Sequence, residues 1–125
     1  MTDWKLVIHP EVLEWLHDVR KDDKETAALI GAALNHVLRG GGPSVGRPLV
    51  DRLKHTNTHN LKELRPASSG TTEVRIIFAF DPERHMVLLV GGDKSGQWTR
   101  WYKTAIPLAE ARFEEHLAAL DHEED

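Results

Sequence analysis

Three cations carry the most chemical promise in this chain: Arg65, Arg75 and Lys94. Arg65 ends one predicted strand, Arg75 lies within the next and Lys94 follows the third, so antiparallel neighbours would bring all three to one face. Arg75 interrupts a strand face that is otherwise apolar at Ile77 and Ala79, where an unpaired charge is costly. Either Glu63 or Glu73 pairs with it, or it points into a cleft. Downstream, Trp98, Trp101 and Tyr102 interleave with Arg100 and Lys103. That pattern suits a surface on which bases stack while cations hold phosphates, although Trp101 is expected to belong to the core.

Other motifs point less far. Gly91-Gly92-Asp93-Lys94-Ser95-Gly96 lacks the spacing of a nucleotide-binding P-loop and reads as a strand-ending turn, with Lys94 still free to touch a phosphate. His55 and His59 have metal-like spacing, but Asn57 and Asn60 make this a loop, and no further ligands converge in the sequence; no metal or cofactor is expected. The chain has no cysteine, which removes thiolate chemistry and disulfides, and no serine sits in a nucleophile-elbow context.

The elements that must position these residues follow from periodicity. Trp4 to Ile8 reads as a strand, and His9-Pro10 opens a helix with Val12, Trp15, Leu16 and Val19 on its apolar face. Asp22 and Asp23 cap a second helix from about Lys24 to Arg39, buried through Ala27, Ile30, Leu34, Val37 and Leu38. Gly40-Gly41-Gly42-Pro43 ends it. Leu61 to Arg65, Glu73 to Phe80 and Met86 to Val90 read as a meander, with Asp81-Pro82-Glu83-Arg84 as a hairpin turn. Trp98 to Lys103 is ambiguous, about one helical turn. Pro107 opens the last helix, with Ala109, Phe113, Leu117 and Leu120 inward, Glu110, Glu114 and Glu115 toward water, and a frayed acidic tail over 121–125. The order β-α-α-β-β-β-α predicts a single α+β domain over 1–125, an antiparallel-dominated sheet of about four strands with helices packed on it.

At 125 residues the chain is long enough for one core without staples. No apolar run approaches the roughly 18 residues of a membrane span, and Asp3 stands where a signal peptide would be basic, so the expected compartment is the cytoplasm, with no membrane partner. The net charge of −4 argues against nucleic acid. Its distribution softens the objection: residues 47–103 carry 10 Lys/Arg against 6 Asp/Glu, and residues 104–125 carry 1 against 7. A basic middle can present a local cationic surface.

Asn60-Leu61-Lys62-Glu63-Leu64-Arg65, then Glu73-Val74-Arg75-Ile76-Ile77-Phe78-Ala79-Phe80-Asp81, then Leu88-Leu89-Val90-Gly91-Gly92-Asp93-Lys94 resemble the strand region of RelE/ParE-superfamily toxins of type II toxin-antitoxin systems, in particular the HigB-like, phage-related branch. The resemblance runs from about Trp4 to Leu120 and is most specific at Leu64-Arg65 and Val74-Arg75-Ile76-Ile77-Phe78. It implies a RelE-like fold and a ribosome-dependent mRNA endoribonuclease that inhibits translation without metal. In that chemistry the ribose 2′-hydroxyl attacks the adjacent phosphate, so the protein must take one proton, supply another and neutralise charge. Arg75 matches a basic family position by motif, Lys94 by its place after the strand, and Arg65 matches a frequent arginine with a partly structural role. Tyr102 is the candidate for a catalytic tyrosine. His55, His59, Lys54 and Lys62 are candidate bases, His55 first because histidine titrates nearest neutrality.

Lys54, Lys62, Arg100, Lys103 and Trp98 complete the expected RNA-binding set. The implied partners are the ribosome, mRNA and a cognate antitoxin, a helix-turn-helix protein encoded next door, in a hetero-oligomer for which Trp98 would be the anchor. Two other readings stay open: a ParE-like gyrase inhibitor, which needs neither acid nor base, and an interaction module of the same superfamily without activity.

Overall fold

The computed structural model describes residues 4–54, 56, 59–67, 70–97 and 99–123. Strand β1 spans Lys5–Ile8, helix α1 Pro10–Asp22, helix α2 Lys24–Gly40, strand β2 Val50–Arg52, strand β3 Lys62–Leu64, strand β4 Val74–Phe80, strand β5 His85–Asp93 and helix α3 Thr99–Glu123. A single 3-10 turn, Gly42–Ser44, follows α2.

The helix starts are set by local chemistry. His9 accepts the Glu11 N–H ahead of Pro10, and the Asp23 carboxylate accepts both the N–H and the hydroxyl of Thr26, at 3.1 and 2.6 Å. The strands form one sheet in the order β1-β5-β4-β3-β2, antiparallel throughout except that β1 runs parallel to β5. The sheet therefore has five strands where about four were expected. The additional strand, β2, is only three residues long and carries Asp51 and Arg52, too short and too polar to show alternation.

Both faces of the sheet are covered. Ile76, Phe78, Met86 and Leu88 pack against Val12, Ile30, Leu34 and Val37 of α1 and α2. Ile77, Ala79, Val87 and Leu89 pack against Ala105, Ala109 and Phe113 of α3. This is why β4 and β5 read as near-continuous apolar runs. The pairing of β4 with β5 shifts between Ile77 and Phe78, where Val90 and Leu88 are successive partners and Leu89 is the extra residue.

Gly91 and Gly92 sit just past that bulge on opposite faces. A Cβ on Gly91 would lie 2.5 Å from the Trp15 ring, and one on Gly92 2.9 Å from Trp101 Nε1. The two glycines let one indole approach closely on each side of β5, so the Gly-Gly pair is a packing device and the strand continues through it to Asp93. Trp101 packs on the α3-side core, as its sequence context suggested.

Helix α3 differs most from expectation. It starts at Thr99, so residues 99–103 of the ambiguous segment belong to it, and Pro107 lies inside it. Proline removes one helical hydrogen bond, to the Lys103 carbonyl, but Lys103 and Pro107 are both exposed, where water can replace the bond. The half-buried Trp101 and the buried Ala105 and Ala109 on the sheet side hold the helix together across it. Glu110 is a second correction: it is buried, whereas Glu114 and Glu115 do face water. Residues 124–125 of the acidic tail lie outside the described residues. Among the described residues no helix is long and apolar enough to cross a membrane.

Gly91→Ala should force the Trp15 ring aside and cost about 1–3 kcal/mol, the usual range for overpacking a core. Urea denaturation of the variant against the parent checks this, through a lower midpoint at unchanged slope.

Candidate active site: a cationic cleft over a buried glutamate

Strand β3 places Glu63 opposite Asp51 of β2 and Ile77 of β4, facing α3. Its carboxylate is almost fully buried, at 1% exposure, so its charge must be compensated locally. Arg65 supplies most of that compensation, with Nε 2.9 Å from Glu63 Oε1 and Nη2 3.3 Å from Asp51 Oδ2. Arg47 closes the chain through a two-point bond to Asp51, at 3.0 and 3.1 Å. Arg75 approaches from β4: its Nε lies 3.8 Å from the same Glu63 oxygen, and its Nη1 donates to the Val74 carbonyl at 2.8 Å. Of the two acidic partners open to Arg75, Glu63 is the one it meets. The contact is loose, and Glu63 Oε2 and Arg75 Nε are both buried without a hydrogen bond.

Tyr102, from the first turn of α3, reaches the same carboxylate. Burial pushes the phenol pKa well above the ordinary tyrosine value of 10.0, and the neighbouring Glu63 carboxylate pushes it further. The hydroxyl is therefore held protonated at neutral pH, a donor and never a base under those conditions. Lys94 stands over the Tyr102 ring, with Nζ 5.2 Å from its centroid.

Above this cluster opens a cleft of about 600 Å³ between β2, β3 and the start of α3. Six cations line it, Arg47, Arg52, Lys54, Arg65, Lys94 and Lys103, against the acids Asp51, Glu63 and Glu110. The −4 charge of the chain is thus reversed locally.

Of the candidate residues, Arg65, Lys94, Tyr102, Lys54 and Lys103 come together in this cleft, and Arg75 lies beside its floor through Glu63. Lys62 does not join them. Its ammonium turns to the opposite face of β3, donating to the Pro43 carbonyl at 3.1 Å and standing 5.3 Å from the Phe80 ring centroid, and burial lowers its pKa there. Arg100 is exposed on α3 and does not line the cleft. His59 packs edge-on against Phe113, with Nε2 3.4 Å from Glu114. His55 and Trp98 lie outside the described residues.

Sequence reasoning considered Glu63 only as an ion-pair partner, and it passed over Arg47, Asp51 and Arg52. The unread strand β2 brings the last two into the cleft.

A RelE-like domain with a cationic cleft is the class that fold and site define together. A family model described as "Phage derived protein Gp49-like (DUF891)" matches residues 16–114. Two proteins of Mycobacterium tuberculosis (strain ATCC 25618 / H37Rv) are similar to the chain: "Putative toxin HigB2", 47% identical over 107 residues, and "Putative toxin HigB3", 44% identical over 114. The matches cover 86% and 91% of this chain, and they span about half of HigB2 (51%) and nearly all of HigB3 (94%). No solved structure matches it. The chain belongs to the Gp49-like family, the HigB-like branch of the RelE/ParE toxin superfamily.

Tyr102 is the single tyrosine of the chain, so its ionisation can be followed alone by ultraviolet absorbance. The midpoint should lie above the ordinary value of about 10, and Glu63→Gln should bring it down by removing the negative neighbour. Because the folded state holds this proton more tightly than the unfolded chain, its contribution to stability is complete below about pH 10 and is lost as pH rises toward the folded value.

Proposed function

We propose that the chain is the toxin of a HigB-like type II toxin-antitoxin pair and acts as a ribosome-dependent mRNA endoribonuclease. The observation that carries the reading is the convergence of Arg65, Lys94 and Tyr102 in one cleft, beside Arg75 and above the buried Glu63 carboxylate that Arg65 and Arg75 meet.

Each side chain has a task in the transfer. The ribose 2′-hydroxyl attacks the adjacent phosphorus, the 5′-oxygen of the next nucleotide leaves, and the product carries a 2′,3′-cyclic phosphate. Charge accumulates on the phosphoryl oxygens during the attack, and Lys94 and Arg65 are the cations that meet it, with Arg75 behind them. Tyr102, brought to the cleft by the first turn of α3, is the hydroxyl placed to protonate the leaving oxygen. His55 is the first candidate to accept the 2′-hydroxyl proton. Attack, charge neutralisation and protonation are all assigned to side chains, so no metal or cofactor enters the chemistry. Lys54 and Lys103, exposed at the rim, suit phosphates flanking the scissile one.

A toxin of this family has a cognate antitoxin, which must restrain it during growth. A helix-turn-helix protein encoded beside it is the partner we expect, in a hetero-oligomer that covers the cleft and the start of α3.

Expression of the chain alone should arrest growth, and mapping of mRNA 5′ ends after induction should show cuts in phase with codons. Arg75→Ala should reduce cutting by about 100-fold to 1000-fold while leaving the circular dichroism spectrum unchanged, because Arg65 still neutralises Glu63. Tyr102→Phe should lose about 100-fold to 10,000-fold, the range for a general acid. DNA damage without mRNA cleavage would identify a gyrase inhibitor and end the ribonuclease reading.

A further inference from the structure

Far from the cleft, at the opposite end of β4, Asp81 begins the turn into β5. Its side chain is fully buried. One oxygen, Oδ1, accepts the backbone N–H groups of Glu83 and His85 at 2.9 and 2.8 Å, which fixes the carboxylate's orientation. The other, Oδ2, faces two imidazoles: His85 Nδ1 at 2.7 Å and His116 Nε2 of α3 at 2.6 Å. The rings stand nearly perpendicular, and Phe113 stacks beneath His116. Burial alone would raise the Asp81 pKa, but these hydrogen bonds outweigh it and hold the group ionised.

We propose that Asp81 Oδ2, His85 Nδ1 and His116 Nε2 form a binding site for one zinc-type divalent ion, which ties the β4–β5 turn to α3. All three donor atoms lie within 4.8 Å of one another. Two imidazole nitrogens and one carboxylate oxygen are a donor set for borderline ions such as zinc, and too poor in oxygen for calcium or magnesium. Around zinc, tetrahedral ligand bonds of about 2.0–2.2 Å hold donors roughly 3.3–3.6 Å apart, so each of the two carboxylate–imidazole contacts must open by somewhat under roughly 1 Å.

The site also has the supports that metal ligands need. The carboxylate is oriented by backbone donors and one ring is stacked, so a single oxygen and a fixed imidazole are presented before any ion arrives. The rings are partly exposed, at 21% and 17%, which leaves a side open for ion entry and for a water as fourth ligand. Binding requires the nitrogen of each ring that faces Asp81 to offer its lone pair, so the ring N–H must lie on the nitrogen turned away from the ion.

Tyr102 and His116 are separated by 14 residues of one helix, about 21 Å of rise, so this ion would brace the fold and take no part in cleft chemistry. The proposal is independent of the ribonuclease reading.

The test uses the full chain without a histidine tag, stripped with EDTA and titrated with zinc chloride by calorimetry. One ion should bind per chain, and zinc at about a hundred times Kd should raise the melting temperature by about 5–10 °C. His85→Asn and His116→Gln each keep an N–H near the hydrogen-bonding nitrogen but offer no imidazole lone pair. In EDTA both should melt close to the parent, and both should lose the zinc response. Absence of zinc binding by the parent, or parental affinity in both variants, would overturn the site. Should a variant fail to fold, nuclear magnetic resonance of the parent loaded with cobalt(II) decides: paramagnetic shifts of the His85 and His116 ring protons support the site, and unshifted rings refute it.

Discussion

The cleft depends on one buried carboxylate. Glu63 sits in the short strand β3 with sheet on both sides and α3 above it, where an uncompensated charge would cost several kcal/mol. Arg65 and Tyr102 converge on it, and Arg75 comes near it, because each supplies positive charge or a proton. The same demand sets the order of the cluster. Arg65 gives one edge of its guanidinium to Glu63 and another to Asp51, which recruits Arg47, so β2 is held to β3 by side chains as well as by its ladder. A requirement for stability thus arranges the cations and proton donor that phosphate chemistry needs.

Helix α3 is the second constraint. Its first turn delivers Tyr102 and Lys103 to the cleft, its middle covers the sheet through Ala105, Ala109 and Phe113, and its later turns bring His116 to Asp81. Gly92 allows the helix to approach closely, since a side chain there would meet Trp101. Arg112 adds a bond to the Leu89 carbonyl at the bulge and an ion pair with Glu11 of α1, so α3 also grips the far face of the domain. The cleft end and the Asp81 end of the molecule are therefore joined by one helix.

Much of this was legible in the sequence. Strand β4 was clear because alternating faces are both apolar, and the α1 and α2 faces because helical periodicity is strong over many residues. Arg65 and Lys94 could be singled out as cations at strand ends, and Tyr102 as one of three clustered aromatics and through the family resemblance. The start of α3 was not legible, because Pro107 resembles a first helical residue and only packing against the sheet carries the helix across it. Strand β2 carries no pattern in three residues, and with it went Asp51 and Arg52. The role of Glu63 is a property of tertiary burial, since a glutamate in a strand is ordinarily solvated. Asp81, His85 and His116 meet only through the fold, and no spacing announces them.

The acidic balance of the chain loses its force once charge is counted by place, since cations dominate the cleft while the acids of α3 at Glu114 and Glu115 face water elsewhere. What remains to be measured directly is the bond that breaks. The most direct measurement incubates the purified chain with ribosomes carrying a defined mRNA and compares that message with one bearing a single 2′-deoxy substitution at the cleaved nucleotide. The account predicts cutting only on the ribosome, a 2′,3′-cyclic phosphate on the upstream fragment and no cutting at the deoxy position; equal cleavage of the deoxy message would contradict it.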